Sequence, residues 1–468
     1  MSGKRQNIVV ENVRIESVAA EGKAIAHIDG VVTFIEHGVP GDVVNILITK
    51  KKRNYCEGVI KEIVSPSEHR LEPICPHFGI CGGCKWQILP YEMQLEAKRQ
   101  QVVEQMIRIG HLDVPEVSPT LPSSRTDYYR NKLEFSCSPK RWILPGEDAD
   151  GLSDAERCGI GFHVGRFFDK VLDIRDCHLQ REPSNAIRLF VKDFALKNGI
   201  SFHDVRSHSG LLRGVLVRTA ENGQIMVIVC FFEDVPKLRN ALLDALTKMF
   251  PSITSLFYII NSKQNDSIAD QECILYSGDD AIYEKLGRLT FKIGPKSFFQ
   301  TNTLQAENLY DVAKGMAALT GSETVYDLYT GTGTIAQYVS DGAKKVIGIE
   351  YVPEAIEDAR ENAARNGIGN CEFFAGDMKD VLNRGFIDAH GHPDVMIVDP
   401  PRAGMHPSVV EVILQASPSR IVYVSCNPAS QARDLAMLAP KYRITAVQPV
   451  DMFPHTQHVE NVCALELK

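Results

Sequence analysis

The pattern of apolar and polar positions changes twice along the chain. Residues 6–64 contain short apolar stretches with strand-like alternation, separated by turn pairs such as Asp29-Gly30 and Pro40-Gly41. Alternation with a period of two, interrupted by glycine turns at short intervals, is typical of a small β-barrel. The segment Ser65-Pro66-Ser67 has the composition of a linker. We therefore expect a five-stranded, OB-like barrel at residues 1–66.

The rest of the chain divides into two further patterns. Residues 67–295 mix strand patterns with a helical pattern near residues 236–249, which predicts an α+β domain. From residue 296 onward, strands and helices alternate, and the chain closes with two strand patterns, RITAVQPV and NVCALELK. Seven strands with intervening helices predict an open, doubly wound sheet at residues 296–468. The expected fold class is therefore multidomain α/β.

The composition is that of a folded protein, with 44% hydrophobic and 24% charged residues. No stretch approaches the roughly 18 apolar residues that a membrane span needs, and the charged amino terminus lacks the apolar core of a signal peptide. We therefore expect a cytoplasmic protein with no membrane association and no obligate protein partner. The net charge of −8 neither supports nor excludes RNA binding, because net charge says little about local patches such as Lys50–Arg53.

Twelve cysteines are many for a cytoplasmic chain, where disulfides are rare. Three of them follow the spacing Cys75-x5-Cys81-x2-Cys84, and Cys177 lies far downstream. Four thiolates can hold a tetrahedral zinc ion or a cubane iron–sulfur cluster. The spacing alone leaves both groups open, and a coincidental grouping of cysteines is the remaining alternative.

A glycine-containing turn predicts a cofactor site in the last third of the chain. The segment Asp327–Thr334 follows a strand pattern and opens a helix, so its backbone can approach a ligand closely and Asp327 can accept a hydrogen bond from it. Glu350 ends the next strand about twenty residues later, where a carboxylate can bind both hydroxyls of a ribose. The pair suits a dinucleotide or S-adenosylmethionine. The closing strand pair favours S-adenosylmethionine, because a dehydrogenase would continue into a second mononucleotide-binding half.

Three reactive side chains come to the carboxyl edge of this predicted sheet. Asp399 follows the fourth strand, Cys426 follows the fifth, and Glu460 begins the last strand, after a loop that carries His455. A thiolate that adds to C6 of uracil makes C5 nucleophilic toward a methyl sulfonium, and a base must then remove the C5 proton. Cys426 and Glu460 supply these two groups, and Asp399 could hold the uracil edge. Each residue alone is more often structural, but the three together predict a uracil C5-methylation site.

The motifs FFQTN, DLYTGTGT, DPPRAGMHP, YVSCNPASQARDL and MFPHTQHVENV occur in this order, and through them the chain resembles the RNA uracil-5-methyltransferase family. The resemblance implies a class I seven-stranded methyltransferase fold, with Cys426 as nucleophile and Glu460 as proton acceptor. Thr330 and Thr334 depart from the residues that many members carry, and Thr334 leaves one contact to the cofactor in question. The cofactor shell implied by the resemblance is formed by Gln300, Tyr329, Glu350 and Asp399.

The resemblance extends to the other two parts of the chain. The first 65 residues resemble a TRAM domain, which implies an RNA partner, and the aromatic and cationic segment Tyr128–Lys132 fits a platform for single-stranded RNA. The cluster-bearing members of the family act mainly on large-subunit rRNA, so the expected substrate is an unpaired uridine of 23S rRNA that can turn out of its helix. A subgroup of the family carries a [4Fe-4S] cluster, with zinc as the alternative, on cysteines that correspond to Cys75, Cys81, Cys84 and Cys177.

Three alternatives remain open. The first is a tRNA uracil-5-methyltransferase with the same chemistry. The second is an amino-methylating enzyme, which commonly has Asn-Pro-Pro-aromatic where this chain has Asp399 and Arg402, and which has no use for a nucleophilic thiol. The third is an RNA-binding protein without catalytic activity, against which the presence of Cys426 and Glu460 argues.

Overall fold

The computed structural model describes residues 8–165, 167–268 and 270–468, so the first seven residues of the predicted barrel lie outside the described residues. The amino-terminal part is a sheet of six strands in the order β1-β5-β6-β4-β3-β2. It has one strand more than expected, because Ser17 and Val18 pair with the edge of β3. Alternate side chains such as Val44 and Ile46 form its core. The strands are β1 (Ile8–Arg14), β2 (Ser17–Val18), β3 (Ala24–Ile28), β4 (Val31–Glu36), β5 (Val43–Lys51) and β6 (Tyr55–Ser65).

The middle part has a mixed sheet of seven strands, in the order β13-β12-β11-β10-β7-β8-β9, which agrees with the α+β expectation. The strands β10 and β11 are almost wholly buried, because helices and loops cover both faces of the sheet. The elements are α1 (Tyr91–Arg108), β7 (Lys132–Ser138), α2 (Asp154–Arg157), β8 (Gly159–His163), β9 (Val171–Asp173), α3 (Ser184–Lys197), β10 (Leu212–Thr219), β11 (Ile225–Phe231), α4 (Pro236–Met249), β12 (Ser255–Ile260), β13 (Ile274–Gly278) and the hairpin of β14 (Ile282–Leu286) and β15 (Leu289–Ile293).

The last part is a seven-stranded sheet in the order β18-β17-β16-β19-β20-β22-β21, as the sequence predicts. Its strands are parallel except β22, which runs antiparallel to both neighbours. The start of β22 therefore lies at the edge where the parallel strands end. The elements are α5 (Thr303–Ala317), β16 (Thr324–Leu328), α6 (Thr334–Val339), β17 (Lys345–Glu350), α7 (Pro353–Arg365), β18 (Cys371–Ala375), α8 (Met378–Val381), α9 (Arg384–His390), β19 (Val395–Val398), α10 (Pro407–Ala416), β20 (Arg420–Ser425), α11 (Pro428–Leu438), β21 (Tyr442–Val450) and β22 (Glu460–Leu467).

Two elements of the middle sequence pack on the last sheet. Helix α1 lies against α11, and its buried side chains Val102 and Met106 join the core on one face of that sheet. The hairpin β14–β15 contributes Phe291 to the core on the other face. The domain boundaries at residues 66 and 295 stay a prediction. None of the helices in the described part of the chain is both long enough and apolar enough to cross a membrane.

Candidate active site and four-cysteine cavity

The glycine turn after β16 lies beside a buried carboxylate, Asp327. Tyr329, Gly331 and Gly333 all have positive φ values (65°, 55° and 76°), which turns the backbone sharply between the strand and α6. Asp327 is fully buried, and its Oδ2 accepts hydrogen bonds from the Thr330 hydroxyl and the Ala336 amide. Its Oδ1 is also buried and has no partner among the described residues. Burial raises the pKa of Asp327 to about 7. A buried acceptor without a partner beside such a turn fits a ligand that donates a hydrogen bond.

Glu350 closes one side of this turn. Its Oε2 accepts a hydrogen bond from the Gly331 amide at 3.1 Å, and its Oε1 accepts one from the Val352 amide at 3.1 Å. These contacts fix the carboxylate at the end of β17, beside the turn that carries Tyr329. Asp327, Tyr329 and Glu350 therefore meet at one end of the sheet, where ligands of doubly wound folds bind.

Gln300 reaches the same edge from the segment before α5. Its carbonyl accepts a hydrogen bond from Asn131 Nδ2 at 2.8 Å, and its side chain lies near Tyr310. The Tyr310 hydroxyl lies 3.1 Å from the hydroxyl of Thr334. Thr334 therefore contacts Tyr310, which lies beside Gln300.

Cys426 and Glu460 face each other across two neighbouring strands. Ser425, the last residue of β20, pairs with Asn461 of β22, so Cys426, which follows β20, lies near Glu460, which precedes Asn461. Cys426 is partly exposed and precedes Asn427, whose side chain caps α11. A helix amino terminus favours a thiolate, but burial outweighs this effect and raises the pKa of Cys426. The strand register therefore brings a partly exposed thiol and a buried carboxyl group together.

Burial shifts the titration of all three groups at this edge. It raises the pKa of Glu460 to about 8, with Asp399 as a further cause, and the pKa of Asp399 to about 7, with Asp327 as a further cause. Burial followed by the charges of Glu460 and Asp399 raises the pKa of Cys426 to about 11. Such shifts are common at sites of proton transfer, because a poorly solvated carboxyl group can hold or take up a proton near neutral pH.

Arg402 opposes these shifts, and its partner is a residue that the sequence analysis did not single out. The positive charge of Arg402 lowers the pKa of both Cys426 and Glu460. A guanidinium nitrogen of Arg402 lies 2.8 Å from Nδ1 of His458. Burial lowers the pKa of His458 to about 4, so the imidazole is neutral and accepts this hydrogen bond. The only sequence signals were the position of Arg402 after Asp399 and the two histidines before Glu460.

The four predicted ligand cysteines line one open cavity. Burial raises the pKa of each thiol, to about 12 for Cys84 and about 11 for Cys177. No three histidine, cysteine, aspartate or glutamate side chains in residues 8–165, 167–268 and 270–468 are grouped closely enough to hold a metal ion. The thiols thus surround a space and do not converge on one point.

Two predicted functional residues have structural roles. Tyr129, expected in an RNA platform, is buried, and its hydroxyl donates a hydrogen bond to the carbonyl of Pro454 at 3.1 Å. It is therefore not available to stack on a base, and that part of the prediction is wrong. His455 is held by Gln94, whose Oε1 accepts a hydrogen bond from the His455 amide. Only Tyr128 of the aromatic pair is exposed.

The strand order, the antiparallel β22 and the glycine turn together define the class of S-adenosylmethionine-dependent methyltransferases. The profile described as tRNA (uracil-5-)-methyltransferase matches residues 223–468, and the TRAM domain profile matches residues 4–61. The chain belongs to the RNA uracil-5-methyltransferase family and carries an amino-terminal TRAM domain.

Full-length relatives agree with this assignment. An uncharacterized RNA methyltransferase of Porphyromonas gingivalis is 55% identical over 97% of this chain and 99% of its own length. An uncharacterized RNA methyltransferase of Bacteroides thetaiotaomicron is 53% identical over 96% of this chain and all of its own length. Among solved structures, the tRNA (uracil-54, C5)-methyltransferase of Pyrococcus abyssi in complex with S-adenosyl-L-homocysteine is 28% identical, with a TM-score of 0.73, over 97% of this chain and 100% of its own.

Proposed function

We propose that this RNA methyltransferase transfers a methyl group from S-adenosylmethionine to C5 of a uridine, with Cys426 as covalent nucleophile and Glu460 as general base. The observation that carries the proposal is the pairing of Ser425 with Asn461, which brings the adjacent residues Cys426 and Glu460 together at the edge that carries the glycine turn. An amino-methylating enzyme has no use for this pair. The amino-methylation alternative therefore has no support at this edge.

The chemistry accounts for both residues. The thiolate of Cys426 adds to C6 of uracil, and the electrons of the 5,6 double bond move onto C5 and O4. S-adenosylmethionine supplies an electrophilic methyl group on sulfur, which C5 attacks. Glu460 then removes the proton from C5, and the electron pair re-forms the 5,6 double bond as the Cys426 thiolate leaves C6. The bond between the Cys426 sulfur and C6 that forms in the first step is broken in the last.

Burial makes Glu460 suitable for proton removal, the last step of this reaction. A carboxyl group with a pKa of about 8 is a stronger base than an ordinary glutamate, once it is ionised, because solvent stabilises its charge poorly. Arg402 stabilises the thiolate of Cys426 and lies close enough to lower its pKa. Asp399, which is protonated over part of the neutral range, can donate a hydrogen bond to a uracil oxygen.

We assign the binding of S-adenosylmethionine to Gln300, Tyr329, Glu350 and Asp399, with Asp327 as a further contact. Glu350 lies where a carboxylate can accept hydrogen bonds from two ribose hydroxyls. The buried Oδ1 of Asp327 needs a donor, which the amino group of the methionine part provides. The methyl-bearing sulfur then lies toward the edge where Cys426 and Glu460 face each other.

We further propose that Cys75, Cys81, Cys84 and Cys177 hold a [4Fe-4S] cluster. Zinc requires four sulfurs at about 2.3 Å from one point, whereas these thiols line a cavity. Such a cluster, when bound, would supply a rigid cross-link between two distant segments of the middle part. Uracil C5 methylation itself uses no electron transfer.

The proposed substrate is 23S rRNA, on the basis of the four-cysteine pattern. A second candidate is tRNA, because the similar protein from Pyrococcus abyssi is a tRNA (uracil-54, C5)-methyltransferase. In both cases the uridine must leave its stack to reach Cys426, so unpaired loops or bulges are the expected targets.

The experiment uses the purified protein, S-adenosylmethionine and unmodified RNA labelled with tritium at C5 of uridine. 23S rRNA and tRNA are tested in parallel, with Cys426→Ala as the control. Tritium release from 23S rRNA that disappears in Cys426→Ala supports the full proposal. Release from tRNA alone keeps the mechanism and overturns the substrate. Absence of release from both RNAs, with RNA binding retained, favours the non-catalytic alternative.

A further inference from the structure

The connection between β21 and β22 leads into the proposed base and is held in part by residues from outside the last sheet. We call residues 451–459, which lead directly into Glu460, the 451–459 loop. Two antiparallel neighbours can be joined by a turn of two residues. This longer connection instead contacts helix α1 and Lys85 and Trp86, which directly follow Cys84. Its conformation therefore depends on residues more than three hundred positions earlier in the chain.

The first anchor is a buried ion pair between Lys98 and Asp451. Both side chains are fully buried, and Nζ of Lys98 lies 2.5 Å from Oδ1 of Asp451. Lys98 also donates to the carbonyl of Phe453 at 3.0 Å, and the Tyr91 hydroxyl donates to the second carboxylate oxygen at 2.8 Å. Removing two charges from water costs free energy that geometry must offset. A pair of this kind therefore specifies one position for the loop.

The second anchor is Gln94, one turn earlier on α1. Its Oε1 accepts a hydrogen bond from the His455 amide at 2.8 Å, and its Nε2 donates to the carbonyls of Trp86 and Leu89. The carbonyl of His455 accepts hydrogen bonds from the amides of Lys85 and Trp86. His455 has a φ of 64°, a conformation that costs free energy for a residue with a side chain. These contacts hold that conformation in place.

The loop leads from these anchors to the reacting groups. The guanidinium of Arg130 lies 5.3 Å from the centre of the Phe453 ring, and the carbonyl of Pro454 accepts a hydrogen bond from Tyr129. Beyond His455, the side chain of His458 accepts the hydrogen bond of Arg402. A shift at His455 therefore moves the partner of Arg402 and the residue that begins β22.

We propose that Gln94 is a positioning residue for proton removal: through His455 it holds the 451–459 loop so that Glu460 faces C5 of the substrate uracil. This inference rests on the proposed function, because it assumes that Glu460 is the base. Gln94 touches neither substrate nor cofactor in the mechanism. Its effect is larger on the step after methyl transfer than on the attack of Cys426 on C6, which the loop reaches only through the contact of His458 with Arg402.

The experiment separates the two halves of the reaction. Gln94→Ala and Gln94→Met are compared with the wild type, and Gln100→Ala serves as the matched control because Gln100 is an exposed residue of the same helix. RNA with 5-fluorouridine traps the covalent adduct after methyl transfer, since fluorine cannot leave C5 as a proton does. Turnover on ordinary uridine RNA, the rate of adduct formation on 5-fluorouridine RNA, and hydrogen exchange of the 451–459 loop are measured.

Both Gln94 variants should lower turnover by on the order of tenfold to a hundredfold, while adduct formation stays within about twofold of the wild type. Hydrogen exchange should accelerate in the 451–459 loop, and Gln100→Ala should match the wild type in all three measurements. Equal losses of turnover and adduct formation would mean a general structural role and overturn the inference, as would unchanged turnover in both variants. If the wild type itself forms no adduct, the proposed function fails, and not Gln94 alone.

Discussion

At the scale of single residues, carboxyl groups that resist ionisation mark the proposed active site. Asp327, Asp399 and Glu460 all have a raised pKa, and burial is the largest cause in each case. Folding does not favour three poorly solvated acids near one sheet edge unless a bound ligand or a reaction uses them. The positive charge of Arg402 acts in the opposite direction and lowers the pKa of both Glu460 and Cys426.

The titration of Glu460 should appear in the stability of the protein. Because its pKa is raised to about 8, the folded state keeps a proton that the unfolded chain has already lost, and stability falls as pH rises from the ordinary glutamate range to about 8. Glu460→Gln removes this loss. We expect the variant to gain on the order of 4 kcal/mol over the wild type between about pH 5 and about pH 9, at about 1.4 kcal/mol per pKa unit, measured by urea unfolding. A constant difference across this range would contradict the raised pKa.

The charge of Arg402 should set the pH at which the thiol reacts. Arg402→Met removes the cation that lowers the pKa of Cys426, so the thiolate fraction near neutral pH falls. We expect adduct formation on 5-fluorouridine RNA to slow by about tenfold near pH 7 and to recover at higher pH. Arg443→Met, at an exposed arginine of β21 that pairs with Glu466, is the control. Slowing that is independent of pH would point to a loss of RNA binding instead.

The sequence allowed some of these residues to be predicted, because they lie at the ends of regular elements. Cys426 and Glu460 follow from a periodic pattern of strands and the antiparallel last strand, although their roles stay a prediction. The partnership of Arg402 with His458 and that of Gln94 with His455 could not be predicted. These partners lie 56 and 361 residues apart and on different elements, so no local pattern records the contact.

At the scale of elements, the start of α11 connects helix capping with the reactive thiol. The side chain of Asn427 accepts a hydrogen bond from the Ala429 amide and donates one to the carbonyl of Arg402 at 2.9 Å. Asn427 therefore fixes the start of α11 next to Cys426, and it also holds the backbone of Arg402.

Asn427→Ala should cost about 1 kcal/mol of stability through loss of the cap and should also slow adduct formation severalfold. Asn383→Ala is the matched control, because Asn383 caps α9 away from the active site and accepts a hydrogen bond from Phe386. It should lower the free energy of unfolding by a similar amount and leave adduct formation unchanged. Equal rates of adduct formation in the two variants would mean that Asn427 has no part in positioning the thiol of Cys426.

The elements themselves were predicted well where periodicity was strong. The seven strands of the last sheet and the helix at Pro236–Met249 agree with the sequence expectations. The two-residue strand Ser17–Val18 could not be predicted, because so short an element has no period. The packing of α1 on the last sheet also could not be predicted from the sequence. The apolar face of an amphipathic helix shows that the helix packs on something, but not on which sheet.

At the scale of the whole molecule, the 451–459 loop connects the last sheet to helix α1 and to the residues that directly follow Cys84. If Cys75, Cys81, Cys84 and Cys177 hold a [4Fe-4S] cluster, protein purified without oxygen should contain iron in the ratio that a four-iron cluster requires, with little zinc. Each single cysteine-to-serine variant at these positions should lose most of the iron. Cys371→Ser, at a partly exposed thiol far along the chain, should retain it. Zinc in place of iron would overturn the choice of metal.

The buried pair of Lys98 and Asp451 also constrains how such proteins can be recombined. Its two members lie 353 residues apart, on either side of the predicted boundary at residue 295. A chimera that joins the first 295 residues of one relative to the remainder of another would bring together halves that were never selected for each other. A functional chimera should therefore take α1 and residues 296–468 from the same relative. The segment that must be exchanged as one piece is larger than the last sheet and its helices.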